Sequence, residues 1–219
     1  MERDPQNPST QEICRRIYSR TRDYYKEIST GREDVGFQIL YGPPFQEAPI
    51  LFLGYQPGKG TKTPLKERED GSEDRWPEVS EYVTESWPLA KKLRNIFGTT
   101  LLHQCVGLNA IFIRSDSIEA YQRNFDLCIR RQIKEFCLPC VCEIIEAIRP
   151  RKIVAIGIET LRLFGKADPC LMGDKDVLAR MGTVAGRDVI GVIHLTGARM
   201  STPDRKRITD CLLAYVNSA

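Results

Sequence analysis

Apolar and polar positions along the chain repeat in blocks that alternate strand with helix. Residues 10–28, "TQEICRRIYSRTRDYYKEI", place Ile13, Ile17, Tyr24 and Ile28 at helical spacing, with Thr10 as the expected cap. "APILFL" (48–53) is apolar without alternation, the pattern of a strand covered on both faces, and the preceding "GFQILYGPPF" reads as a short strand or loop. "SWPLAKKLRNIF" (86–97) predicts a helix capped by Ser86 with Pro88 in its first turn. "CVGLNAIFI" (105–113) is a second strand, and residues 117–148 carry one long helical pattern with an expected break near Pro139. "RKIVAIG" (151–157) is a third strand, followed by the helix "IETLRLFG". "RDVIGVIHLTG" (187–197) is a fourth strand running into a loop. "TPDRKRITDCLLAYV" (202–216) closes the chain as a helix, with Thr202 as expected cap and Pro203 at its first position.

Strand followed by helix about four times predicts an α/β fold. The expectation is a three-layer α/β/α arrangement with a central, mainly parallel four-stranded sheet, in a single domain over residues 1–219. Ligands of such sheets bind at the carboxyl ends of the strands. Those ends are Gly54 onward, Asn109 to Arg114, Gly157 onward and His194 onward. A Gly-Pro loop, an amide and an imidazole are therefore expected to converge. Residues 58–85, polar and rich in charge, are too long for a simple connection and read as a functional loop.

Composition narrows the class. Apolar residues make up 42% and charged residues 28% of the 219, enough to bury a sizeable core. The start, "MERDPQNPST", has no apolar stretch of a secretory signal, and no apolar run nears the roughly 20 residues that span a bilayer. A protein of the cytoplasm (nucleoid-associated) or nucleus is expected, not a secreted one, and no membrane partner. The net charge of +3 is too small to demand a nucleic-acid partner, although 123–134 and 199–207 are locally basic. Eight cysteines spread through such a chain read as reduced thiols. "CLPCVC" (137–142) lacks a second CxxC pair, and with two histidines in the chain it does not make a structural zinc site.

The loop "GYQPGKG" (54–60) is not a phosphate cradle of the Walker type. Three residues separate Gly54 from Gly58 where four are needed, and Pro57 removes an N–H. "ILFLGYQPG" instead resembles the first motif of the uracil-DNA glycosylase superfamily, an apolar strand ending in Gly-x-Asn/Asp/Ala-Pro-Gly or a close variant. "GLNAIFIR" (107–114) looks like the strand that carries the family's base-reading Asn. "CLPCVCEIIEAIRPRKIVAIG" (137–157) is similar to the family's helix–strand segment with "I-x-P-x-x-I-V-x-x-G". "VIHLTGAR" (192–199) stands where its His-Pro-Ser loop belongs, reading His-Leu-Thr here. These four segments occur in the family's order and cover about two-thirds of the chain.

The resemblance implies a uracil-DNA glycosylase-like fold and a base-excision repair enzyme, a monomer hydrolysing the N-glycosidic bond of uracil or another deaminated base in single- or double-stranded DNA. It implies no cofactor, no metal and, since the iron–sulfur branch's cysteine set is incomplete, no cluster. Asn109 would read the base edge, since an amide offers both donor and acceptor. Gln56 would place the attacking water, although a Gln cannot take its proton. His194 would stabilise the departing base as a hydrogen-bond donor. Gly54, Tyr55, Pro57 and Gly58 would form the floor of the base pocket, with Tyr55 either closing over the base or packing as a half-buried loop aromatic. Trp76 is the candidate stacking aromatic, with Tyr82 and Trp87 as rivals. Lys59, Thr196, Arg199 and Met200 would meet DNA, Thr196 through its hydroxyl and Arg199 or Met200 as a wedge in the vacated stack. The alternative is a weak or inactive relative that binds nucleic acid or a modified base, favoured by Gln56 and by His-Leu-Thr. A small-molecule enzyme of flavodoxin-like architecture is a further rival, because fold does not fix function.

Overall fold

A computed structural model describes residues 8–30, 36–58, 77–165, 170–172, 177–196 and 200–218. Its centre is a six-stranded sheet. The strands are β1 (Ile50–Gly54), β2 (Val106–Asn109), β3 (Lys152–Ile156), β4 (Cys170–Met172), β5 (Ala179–Val184) and β6 (Arg187–Val192), in the order β2-β1-β3-β6-β5-β4. β2, β1, β3 and β6 run parallel, which accounts for the four expected strands. β5 pairs antiparallel with β6, and β4 with β5, so the sheet is mixed and two strands larger than expected. The added hairpin turns on two residues, Ala185 (φ 49°) and Gly186 (φ 69°), between the paired Val184 and Arg187. Both central residues have the positive φ of a type I′ turn, whose twist matches that of the strands it joins.

Both sheet faces are covered, which explains the unbroken apolar run of β1. Successive strand residues point to opposite sides. Leu51, Leu53, Val106, Leu108, Ile153 and Ala155 join one core with residues of α1 (Thr10–Ser29) and α6 (Leu127–Ile148). Ile50, Phe52, Val154, Ile156, Ile190 and Val192 join the other with residues of α3 (Pro88–Phe97) and α8 (Thr202–Asn217). Short helices α2 (Glu81–Thr84), α4 (Thr99–Leu102), α5 (Ile118–Asn124) and α7 (Ile158–Arg162) fill the connections.

Several helix limits differ from expectation. Ser9, not Thr10, caps α1: its Oγ accepts from the Glu12 N–H while the Glu12 carboxylate accepts from the Ser9 N–H, a capping box. Ser201, not Thr202, caps α8, its Oγ accepting from the Asp204 N–H at 3.2 Å. Trp87, not Ser86, is the N-cap of α3, because Pro88 takes the first helical position where its missing N–H costs nothing. The long pattern at 117–148 is two helices, and the break falls at Phe125–Asp126, where Asp126 caps α6 by accepting from the Ile129 N–H at 2.9 Å. Pro139 sits inside α6 without ending it. A proline there removes one backbone donor, and the buried face formed by Ile133, Cys137, Cys140, Val141 and Ile144 holds the turn in place.

Candidate functional site

The parallel register brings the strand ends level. Gly54 pairs with Asn109 on one side and with Ile156 on the other, and Ile156 pairs with Val192, two residues before His194. The loop after Gly54 is then fastened to the chain after Asn109. Ala110 N–H donates to Gly54 O at 2.8 Å, Ile111 N–H to Tyr55 O at 2.8 Å and Ser115 N–H to Pro57 O at 3.1 Å. The Arg114 guanidinium donates to Gly58 O at 2.9 Å. A cavity of about 250 Å³ opens over this edge of the sheet. Gly54, Tyr55, Gln56, Gly58, Asn109 and His194 all line it, so most of the expected pocket residues meet in one place. Pro57 is buried and stands outside the lining, its carbonyl spent on Ser115.

Each polar side chain in the pocket has one end anchored. Asn109 is 1% exposed, and its Nδ2 donates to the Gln38 carbonyl at 3.1 Å. The amide also hydrogen-bonds the Tyr41 phenol, whose pKa burial pushes up to about 12 against that bond. Gln38 is itself gripped: its side-chain oxygen accepts from Arg114 at 2.8 Å and its Nε2 donates to Glu81 at 2.8 Å. Burial raises the Glu81 carboxyl pKa, with the Arg114 charge opposing. Gln56 Nε2 donates to the Ser117 carbonyl at 3.0 Å, while Gln56 Oε1 is buried with no hydrogen-bond partner. The His194 Nδ1 lies 2.8 Å from the Thr196 hydroxyl, and burial lowers the His194 pKa, which keeps the ring neutral.

The apolar wall is aromatic. Tyr41, Tyr82 and Trp87 line the pocket with ring centroids 5.3 to 5.6 Å apart. Tyr82 lies so close to β2 that a β-carbon at Gly107 would stand 2.6 Å from its ring. That approach explains the glycine beside Leu108. Trp76, the expected stacking residue, lies outside the described residues, as do Lys59 and Arg199. Thr196 reaches the site through His194, whereas Met200 packs against the core beside α8 and does not line the pocket.

Sequence reasoning passed over Tyr41 and the segment Ser115–Ile118, which also line the pocket. A signal for the latter was present: Ser117 is the N-cap of α5, accepting from the Ala120 N–H at 3.1 Å, and such caps mark where a strand's carboxyl end turns into a helix. Cys137 and Cys140 of "CLPCVC" are core residues of α6, and no group of three or more His, Cys, Asp and Glu that could hold a metal ion occurs among the described residues. No helix among the described residues is long and apolar enough to cross a membrane. No protein-family model matches the chain, and no curated protein matches it significantly.

Proposed function

We propose that this protein has a uracil-DNA glycosylase-like fold and hydrolyses the N-glycosidic bond of uracil or another deaminated base in DNA. One observation carries the reading: three segments that resemble the family's motifs, Gly54–Gly58, Asn109 and His194, line a single pocket with an aromatic wall. An extruded base would stack on that wall. Asn109 would meet its edge, with the amide turned by Gln38 so that it cannot rotate freely. In the tautomer in which Thr196 donates to Nδ1, the imidazole proton would sit on Nε2, a neutral donor for the carbonyl oxygen on which charge develops as the base leaves. Gln56 Oε1 would accept from the attacking water.

The test is release of base from oligonucleotides carrying uracil, hypoxanthine or xanthine, single- and double-stranded, read as alkali-labile abasic sites. Asn109→Ala and His194→Ala should each abolish the product. If the wild-type protein leaves all three bases in place in both strand forms, the enzyme reading is wrong. Gln56 favours one second reading, a binding protein of the same shape, because an amide cannot accept a proton. That reading predicts salt-dependent DNA binding with no abasic product.

A further inference from the structure

Hydrolysis by water leaves a proton to be placed, and the three groups so far assigned cannot take it. The Gln56 and Asn109 amides are not bases at neutral pH, and the role proposed for His194, donor to the departing base from Nε2 with Nδ1 engaged by Thr196, leaves it no free acceptor. Among the described residues that line the pocket, Asp116 is the one carboxylate. It is exposed at the pocket's edge, and it directly precedes Ser117, whose carbonyl holds Gln56 Nε2 at 3.0 Å. Its backbone is fixed on both sides. Ser115 N–H is bonded to Pro57 O at 3.1 Å, and Ser115 Oγ donates to Ser117 O at 3.1 Å. The carboxylate therefore stands on the segment that anchors the amide whose buried Oε1 has no partner.

We propose that Asp116 is the catalytic base of the excision reaction, accepting the proton of a water that Gln56 Oε1 orients. The inference rests on the glycosylase reading. In the step, the water oxygen forms a bond to C1′ of the sugar while the C1′–N bond breaks. The bonding pair leaves with the base nitrogen, whose charge spreads to the carbonyl oxygen facing His194, and the water's proton passes to Asp116. No other reactant is needed. The amide and the carboxylate thus divide between two residues the tasks of orienting the water and deprotonating it.

The experiment is single-turnover excision from a deoxyuridine oligonucleotide with the protein in excess. It is paired with fluorescence anisotropy on the same oligonucleotide carrying non-hydrolysable 2′-fluorodeoxyuridine. Asp116→Asn should lower the excision rate by about 10²- to 10⁴-fold, the range of a lost general base, with affinity within about threefold of wild type. Asp116→Ala should regain rate on addition of formate, saturably, which a merely structural carboxylate would not show. Thermal unfolding of both variants checks that they are folded. The proposal is overturned if Asp116→Asn excises within about threefold of the wild-type rate, if its loss is matched by lost affinity, or if formate restores nothing. An inactive wild-type protein would instead overturn the glycosylase reading, and this inference with it.

Discussion

Replacing Gly54 by alanine tests the pocket at its tightest point. A β-carbon at 54 would stand 3.1 Å from Asn109 Oδ1 and 3.8 Å from the Leu108 carbonyl. The first contact is a few tenths of an ångström closer than ordinary packing, so one partner must give way. The strand cannot, since Gly54 is bonded through its carbonyl to Ala110 and lies in register between Asn109 and Ile156. The Asn109 backbone cannot either, as its N–H donates to Ile39 O at 3.0 Å. The amide therefore has to turn, which stretches or breaks its bond to the Gln38 carbonyl. Leaving a buried donor unsatisfied costs about 1 to 3 kcal/mol, or about 2 to 12 °C in Tm for a chain of this size. If Asn109 reads the base, a displacement on the scale of an ångström should also lower excision on the order of 10²-fold. Urea denaturation and single-turnover excision measure the two effects. Gly58→Ala serves as the stability control from the same loop, because nothing lies within 4 Å of its added β-carbon. Gly54→Ala with the stability of Gly58→Ala and undiminished excision would refute both the anchored amide and its role.

Other outcomes follow from single contacts. Trp87→Ala should weaken binding to a uracil-containing oligonucleotide by about 5- to 150-fold, the worth of one base–aromatic stack, and anisotropy should show this without a large loss of helix, since the Trp87 side chain makes no cap bond to α3. Gly191→Ala would drive a β-carbon to 2.3 Å from Leu161 Cδ1, and overpacking of this kind costs about 1 to 3 kcal/mol in urea denaturation. Adding Leu161→Ala should cost less than the sum of the two single changes, and strict additivity would contradict the contact. His194 should titrate by NMR below the ordinary imidazole value of about 6.5, because burial disfavours its charged form. The folded state then binds fewer protons than the unfolded one, so this contribution to stability is complete above pH of about 6.5 and is lost as pH falls below it. A midpoint at or above that value would show that the ring is not desolvated.

The end of β1 was legible in the sequence because burial on both faces writes itself as uninterrupted apolar residues, Ile50–Leu53, which stop at Gly54; the run through Asn109 stays apolar to Ile113, so the sequence carried that strand to 113 where β2 ends at Asn109. The strand–helix order sets Gly54, Asn109 and His194 at one edge of the sheet, where the register brings them level. β5 was not legible. It pairs antiparallel at the side of the sheet, only three of its six residues are buried, and its turn uses Ala185–Gly186 rather than the Asn-Gly that usually announces such a hairpin. Two of the three misplaced caps fell on a Ser-Thr pair, Ser9–Thr10 and Ser201–Thr202, where either hydroxyl suits the role and only the backbone turn decides; the third moved from Ser86 to Trp87, ahead of Pro88. The aromatic wall depends on long-range placement. Tyr41 arrives on a segment held by the bridges Phe37–Ile113 and Leu40–Leu108, and no local pattern around Tyr41 encodes its meeting with Tyr82 and Trp87.

The anchoring of the pocket's polar groups bears on what the Gly-Pro loop can hold. Asn109 spends a donor on Gln38, Gln56 spends one on Ser117, and His194 engages Thr196 through Nδ1. These anchors leave the Asn109 and Gln56 oxygens and, in the tautomer proposed for His194, its Nε2–H to meet a ligand, beside the Asp116 carboxylate at the pocket's edge. A phosphate offers acceptor oxygens and negative charge, and would face two carbonyl dipoles turned the wrong way with a neutral imidazole in place of a cation. A ligand pair with two donors and one acceptor, such as the ring N–H of a lactam base, the O–H of a water and a base carbonyl, satisfies all three groups at once. The pocket's hydrogen-bonding character is therefore set less by which polar residues line it than by which end of each the surrounding backbone has already taken.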